Sequence, residues 1–196
     1  RYGHFSLLDG NDRRNIEIGF AARRDLVAPA AIAVRSHKDT TFAEAGVHEP
    51  ALARLGIGPH DKVFARDCLA VELDFGDRTL VLFGCHLKSM SNGRDDGRQA
   101  TLPVRRAEAR AVKRIVKDRF GPGWREANWI VLGDLNAYRF GIGPRGEPVD
   151  EGDSGIEPLL EDFAVDPMMR LPAHERWTHF RRYWSEERQE LVETHM

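Results

Sequence analysis

Cysteine is scarce in this chain, with Cys68 and Cys85 the only two among 196 residues. Their spacing matches no metal cluster, and a pair buried on neighbouring strands is expected to stay as free thiols, though a disulfide is conceivable. Long apolar runs are missing too. No stretch approaches the roughly 18 residues of a membrane-crossing helix, so no membrane span is expected. An excess of basic charge is also absent: 29 Lys and Arg stand against 31 Asp and Glu, a formal net charge of −2. That excludes a general nucleic-acid coat protein. It does not exclude a nuclease, whose positive field can be local or supplied by a bound metal ion. There are no internal repeats and no linker. What remains is 41% hydrophobic and 31% charged, the balance of a globular protein, and the length suits one domain over residues 1–196.

The chain is organised around Trp129-Ile130-Val131-Leu132-Gly133-Asp134-Leu135-Asn136-Ala137. Apolar residues leading into Gly-Asp-Leu-Asn predict a strand buried on both faces that ends in a carboxylate and an amide. Open α/β sheets bind ligands beyond the carboxyl ends of their strands. If the chain stays extended, Asp134 and Asn136 face one pocket. The competing reading is a plain turn, since Gly, Asp and Asn are turn formers. A second stretch, Thr79-Leu80-Val81-Leu82-Phe83-Gly84-Cys85-His86-Leu87-Lys88-Ser89, also runs from apolar strand into polar chemistry. His86-x-Lys88 offers hydrogen-bond donors and positive charge; Asp134-x-Asn136 offers an anionic base or hard metal ligand and an amide. Together they suit a phosphate ester.

Elsewhere, Arg1 to Asn15 reads as polar and turn-rich, with strands at Ile16, Ile18 and Phe20 and at Ala31 to Arg35. A brief helix is expected at Glu49 to Leu55. Cys68 to Phe75 and Thr79 to Leu87 flank Gly76-Asp77-Arg78 as an antiparallel hairpin, and Gly84 is expected to permit close backbone approach. Ser91 to Gly97 reads as a surface loop. Thr101 to Phe120 predicts a helix with Pro103 in its first turn. Its apolar stripe is Val104, Ala107, Ala111, Val112, Ile115 and Val116. Arg105, Arg106, Arg110, Lys113, Arg114, Lys117 and Arg119 are expected on a solvated outer face, the sharper alternative being a nucleic-acid-facing rail. Gly121-Pro122-Gly123 ends it. Tyr138 to Gly155 reads as a long loop, Leu159 to Phe163 as a short helix, and Trp177 to Tyr183 as a further strand.

Five segments, in order along nearly the whole chain, carry a family likeness. Cys85 to Ser89 resembles the "HLKS" strand of the endonuclease/exonuclease/phosphatase superfamily, and Gly133 to Asn136 resembles its "GDxN" strand end. Val63 to Asp67 is similar to the strand start whose arginine reaches the scissile phosphate. Gly10 to Gly19 resembles the "GNDxRGIDVG" segment of bacterial nuclease-like members, departing from it at Asn15 and Glu17. Arg176-Trp177-Thr178 resembles a "WT" segment near the family's C-terminal end.

The resemblance implies a deoxyribonuclease-I-like α/β sandwich of mixed, largely antiparallel sheets flanked by helices. It also implies a metal-dependent phosphoesterase, a nuclease in the first instance, acting on nucleic acid or another phosphodiester. Phosphatases and sphingomyelinase-type lipid phosphodiesterases share these strand ends, and a non-catalytic binding relative is the alternative of a different class. By the resemblance Asp134 orients water and Arg66 reaches the phosphate. The chemistry of the other groups lets Asn136 and His86 contact the phosphate, Lys88 bind substrate through its charge or stand as a plain surface lysine, and Asn11, Asp12 and Arg14 line the substrate-binding rim or form a turn. Asp134 and Asn136 would touch Mg²⁺ (or Mn²⁺ or Ca²⁺). The family's upstream "QE" strand with the principal metal-binding glutamate and its downstream "SDH" are not in residues 1–196, and Glu190 to Met196 offers no substitute. The chain therefore reads as an interior piece, incomplete at both ends and expected to be inactive alone. No protein partner is evident.

Overall fold

A computed structural model describes residues 1–91, 97–142, 147–176, 178, 180–185 and 189–195. The first strand, β1 (Tyr2–Leu8), pairs antiparallel with β2 (Ile18–Arg23). β1 overturns the turn-rich reading of the N-terminus. Its alternation is inverted, with Tyr2, Phe5 and Leu7 exposed and His4, Ser6 and Leu8 half-buried. Composition alone therefore hid a strand.

β3 (Ile32–Arg35), β4 (Cys68–Asp74) and β5 (Thr79–His86) follow as antiparallel neighbours, and β6 (Trp129–Asp134) joins β5 in parallel. Between β3 and β4 lie two short helices, α1 (Phe42–Ala45) and α2 (Pro50–Arg54), the second where a brief helix was expected. α1 is held by a capping box in which Thr41 and Glu44 bond each other's backbone N–H.

A parallel neighbour requires a crossover, and α3 (Gly97–Phe120) supplies it between β5 and β6. The helix begins four residues earlier than Thr101, so Pro103 lies within it rather than in its first turn. The predicted stripe does face the sheet: Ala107, Ala111, Val112 and Val116 are buried in one core with Phe83, Cys85 and Leu87. Cys68 and Cys85 are opposite each other across β4 and β5, buried and free. On the sheet's other face Leu69, Val71 and Leu73 pack with Ile18 and Phe20 of the β1–β2 hairpin. The result is a mixed α/β architecture with largely antiparallel pairing.

Three expectations fail here. β6 is not buried on both faces: Ile130 and Leu132 are 47% and 43% exposed, because β6 ends the four-stranded order and the hairpin covers only the neighbouring strands. Its inward side is packed, with Trp129 stacked on Phe163 at 4.9 Å between ring centroids. At Gly84 the tightest neighbour is the Ile18 side chain, 3.3 Å from where a Cβ would stand, while the Leu69 backbone carbonyl is at an ordinary 3.6 Å. Tyr138 to Gly155 is no plain loop either, since β7 (Phe140–Ile142) and β8 (Pro148–Asp150) form a hairpin within it. α4 (Glu157–Leu160), β9 (Phe180–Ser185) and β10 (Glu190–His195) complete the elements, the last two as an antiparallel pair. Trp177 of the "WT" segment and most of the Ser91–Gly97 loop lie outside the described residues.

The expected solvated face of α3 is not wholly solvated. Arg105 is wholly buried, as is Glu108 beside it. Burial raises the Glu108 carboxyl from 4.5 to about 8, opposed by the Lys88 N–H it accepts and by the charges of Arg66, Lys88 and Arg105. Between those two values the native state holds a proton that the unfolded chain has released. The stabilising contribution is therefore full below about pH 4.5 and is lost as pH rises through 8. The slope over that window approaches about 1.4 kcal/mol per pH unit. Glu108→Gln, which cannot ionise, is expected to flatten it. Urea unfolding midpoints of both proteins at pH 5 and pH 8 check this, and parallel pH dependences would refute it.

Candidate active site

The two polar strand ends meet. In the parallel register His86 lies opposite Asp134, and their side chains approach to 3.7 Å between Nε2 and Oδ2. His86 is mostly enclosed, whereas the Asp134 side chain is 63% exposed. Burial holds the His86 imidazole below its ordinary value and Arg66 adds to this, while Asp134 and Asp12 pull the other way.

Asp134 and Asn136 do not share a face through extended backbone. Asn136 takes a left-handed conformation (φ 49°), and its N–H donates to Asp134 Oδ1 at 2.9 Å. The turn reading is thus correct locally, as an aspartate closing the loop over its own strand end. That turn aims the Asn136 side chain back across the sheet, where Nδ2 donates to the Leu87 carbonyl at 3.0 Å. The same carbonyl accepts from Arg66 Nη1 at 3.3 Å. Gly133 makes this crossing possible. It sits at φ 123°, and a Cβ there would stand 2.1 Å from the Cys85 carbonyl oxygen.

Arg66 is 4% exposed and faces Asp12, with Nε 3.0 Å from Oδ2. The contact is an ion pair rather than an aligned hydrogen bond, and the buried Nε–H has no hydrogen-bond partner. Arg14 holds the other side of Asp12 through its backbone N–H and its guanidinium. The Arg14 hydrogen bond is the main reason the Asp12 carboxyl is driven far below the usual carboxylate range, and the Arg66 charge acts in the same sense. One carboxylate between two guanidiniums leaves a net positive charge beside His86.

The loop carrying Asp12 is built for this approach. Gly10 passes so close to Arg66 that a Cβ would meet its carbonyl oxygen at 2.5 Å, and the Glu17 carboxylate accepts the Gly10 N–H. Asn15, where the resembling segment has glycine, takes φ 54°, a conformation that asparagine tolerates better than most residues. Asn11 serves the loop: its amide donates to the Lys38 and Phe64 carbonyls. Lys88 gives its N–H to Glu108, and its ammonium makes no ion pair among the described residues. Of the expected residues, His86, Asp134, Asn136, Arg66, Asp12 and Arg14 are brought together. Asn11 and Lys88 stand beside them in backbone roles.

A cavity of about 890 Å³ lies elsewhere, between the sheet and α3, lined by Arg35, His37, Phe83 and Ile115 among others, and none of the clustered residues lines it. Among the described residues no three His, Cys, Asp or Glu side chains are grouped to hold a metal ion. Asp134 and Asn136 supply hard oxygens of the kind magnesium takes, but only one carboxylate between them. No helix among the described residues is long and apolar enough to cross a membrane. No family model, curated protein or solved structure matches the chain.

Proposed function

We propose that the chain carries part of the active site of a Mg²⁺-dependent phosphodiesterase, a nuclease of deoxyribonuclease-I-like architecture. The observation that carries this reading is the cluster itself. One exposed carboxylate and one largely enclosed imidazole lie 3.7 Å apart at adjacent strand ends, next to a buried arginine paired with Asp12. A phosphodiester supplies what each group lacks. Its anionic oxygens suit the net positive Arg14–Asp12–Arg66 trio. Asp134, open to solvent, orients water and takes up its proton as the attack develops. His86 donates toward the phosphoryl oxygens or the leaving group, and Asn136 adds an amide without repulsive charge. Asp134 would hold a magnesium ion, whose chemistry there would be polarisation of the phosphoryl group.

Full-length gene product should cleave DNA, RNA or a chromogenic phosphodiester in Mg²⁺ and lose the activity to a chelator. Residues 1–196 by themselves should bind Mg²⁺ weakly and turn over far more slowly, since a single carboxylate competes poorly with the ion's hydration. Calorimetric titration beside the activity assay separates the two effects. A folded full-length protein inert toward every phosphodiester would end the proposal. Arg66→Lys keeps the charge but cannot reach Leu87 and substrate together. It is expected to lower kcat/KM by about 10²-fold, and unchanged kinetics would remove Arg66 from substrate contact.

A further inference from the structure

We infer that Glu108 and Arg105 of α3 are the positioning residues of this site, clamping the Leu87–Lys88 backbone from beneath while Arg66 and Asn136 hold it from above. The inference rests on the phosphodiesterase reading for its kinetic arm only. All four polar groups of that dipeptide backbone are taken. Leu87 N–H donates to the Asp134 carbonyl at 2.9 Å. Leu87 C=O accepts from Arg66 and Asn136. Lys88 N–H donates to Glu108 Oε2 at 2.6 Å, and Lys88 C=O accepts from Arg105 Nη1 at 3.2 Å.

A helix needed only to cover the sheet would place apolar side chains at positions 105 and 108. Burying a guanidinium and a carboxyl is costly, and a well-packed apolar pair is commonly at least as stable. These two groups form no ion pair with each other; each goes to backbone. Arg105 also gives Nε–H to the Ser154 carbonyl at 2.6 Å and Nη1–H to Thr101 Oγ at 3.0 Å, so its guanidinium cannot swing. The clamp therefore fixes the one carbonyl that Arg66 and Asn136 share, with His86 one residue before it. Misplacing that carbonyl moves three site residues at once, and displacements of about 1 Å at a remote support can cost on the order of 10²-fold in rate.

The test compares Glu108→Gln, which keeps an oxygen acceptor for Lys88 N–H, with Glu108→Leu, which keeps volume and loses the acceptor. Asn136 side-chain amide and His86 ring signals are followed by NMR in full-length protein, alongside kcat and KM for a chromogenic phosphodiester in Mg²⁺. Glu108→Gln should keep native signals and a kcat within about threefold of wild type. Glu108→Leu should shift both signals and lower kcat about 10- to 100-fold with KM little changed. Arg105→Lys, which cannot span Lys88, Thr101 and Ser154 together, gives the same reading from the carbonyl side if Glu108→Leu does not fold. Native Asn136 and His86 signals in Glu108→Leu or Arg105→Lys overturn the inference, as does a Gln variant as impaired as Leu. Shifted signals in Glu108→Leu or Arg105→Lys, with a wild-type protein that hydrolyses no phosphodiester, leave the clamp standing and remove the function.

Discussion

Asp134→Asn in the full-length protein is expected to lose phosphodiester hydrolysis by about 10²- to 10⁴-fold while the fold stays intact. The substitution is clean because the structural duty of Asp134 survives it. The Oδ1 that accepts the Asn136 N–H has an amide counterpart in asparagine that can accept the same bond. What disappears is the charge on the exposed oxygen facing His86 and the capacity to take a proton from water. Circular dichroism and thermal unfolding should match wild type. Turnover within tenfold of wild type would remove Asp134 from the chemistry and leave it a turn residue.

The second large effect concerns Gly133, where alanine is expected to destabilise the protein by about 3 kcal/mol or more. Two penalties coincide there. The backbone sits at φ 123°, which L side chains rarely adopt, and the new Cβ would stand 2.1 Å from the Cys85 carbonyl oxygen. That contact is with backbone of the neighbouring strand, so it cannot be relieved by a side-chain rotation. Relief requires β5 and β6 to separate where His86 meets Asp134, so residual folded protein should also lose activity. Chemical denaturation gives the stability change; a difference under about 1 kcal/mol would show that the strand ends adjust freely.

Much of this arrangement is legible in the order of the residues. β4 and β5 announce themselves through β-branched residues on either side of Gly76-Asp77-Arg78, and α3 through the spacing from Val104 to Val116. The pairing of His86 with Asp134 follows from two strands ending alike. What stays hidden depends on tertiary context. Asn136 turns left-handed because Asp134 and Leu87 both offer it a bond, and no local pattern separates that from extended chain. Ile130 and Leu132 look like core because an apolar run carries no mark of being at a sheet edge. Arg105 looks like surface because arginine usually is, yet one signal is present. Glu108 falls four residues after Val104 and four before Val112, on the apolar stripe itself, and an acid there calls for a buried partner.

The crossover from β5 through α3 to β6 bears on how the protein acquires its shape. The hairpin of β4 and β5 closes over a short turn and can form early, as can the helix, whose contacts are local. The ladder that brings Asp134 to His86 cannot. It must await closure of the whole segment carrying α3, and loop-closure entropy makes such non-local parallel pairing slow. Substitutions at β4–β5 should therefore change the refolding rate, while those at the junction of Gly133 with Cys85 should act mainly on unfolding. The meeting of Asp134 with His86 would be among the last features to appear as the chain folds and among the first to come apart.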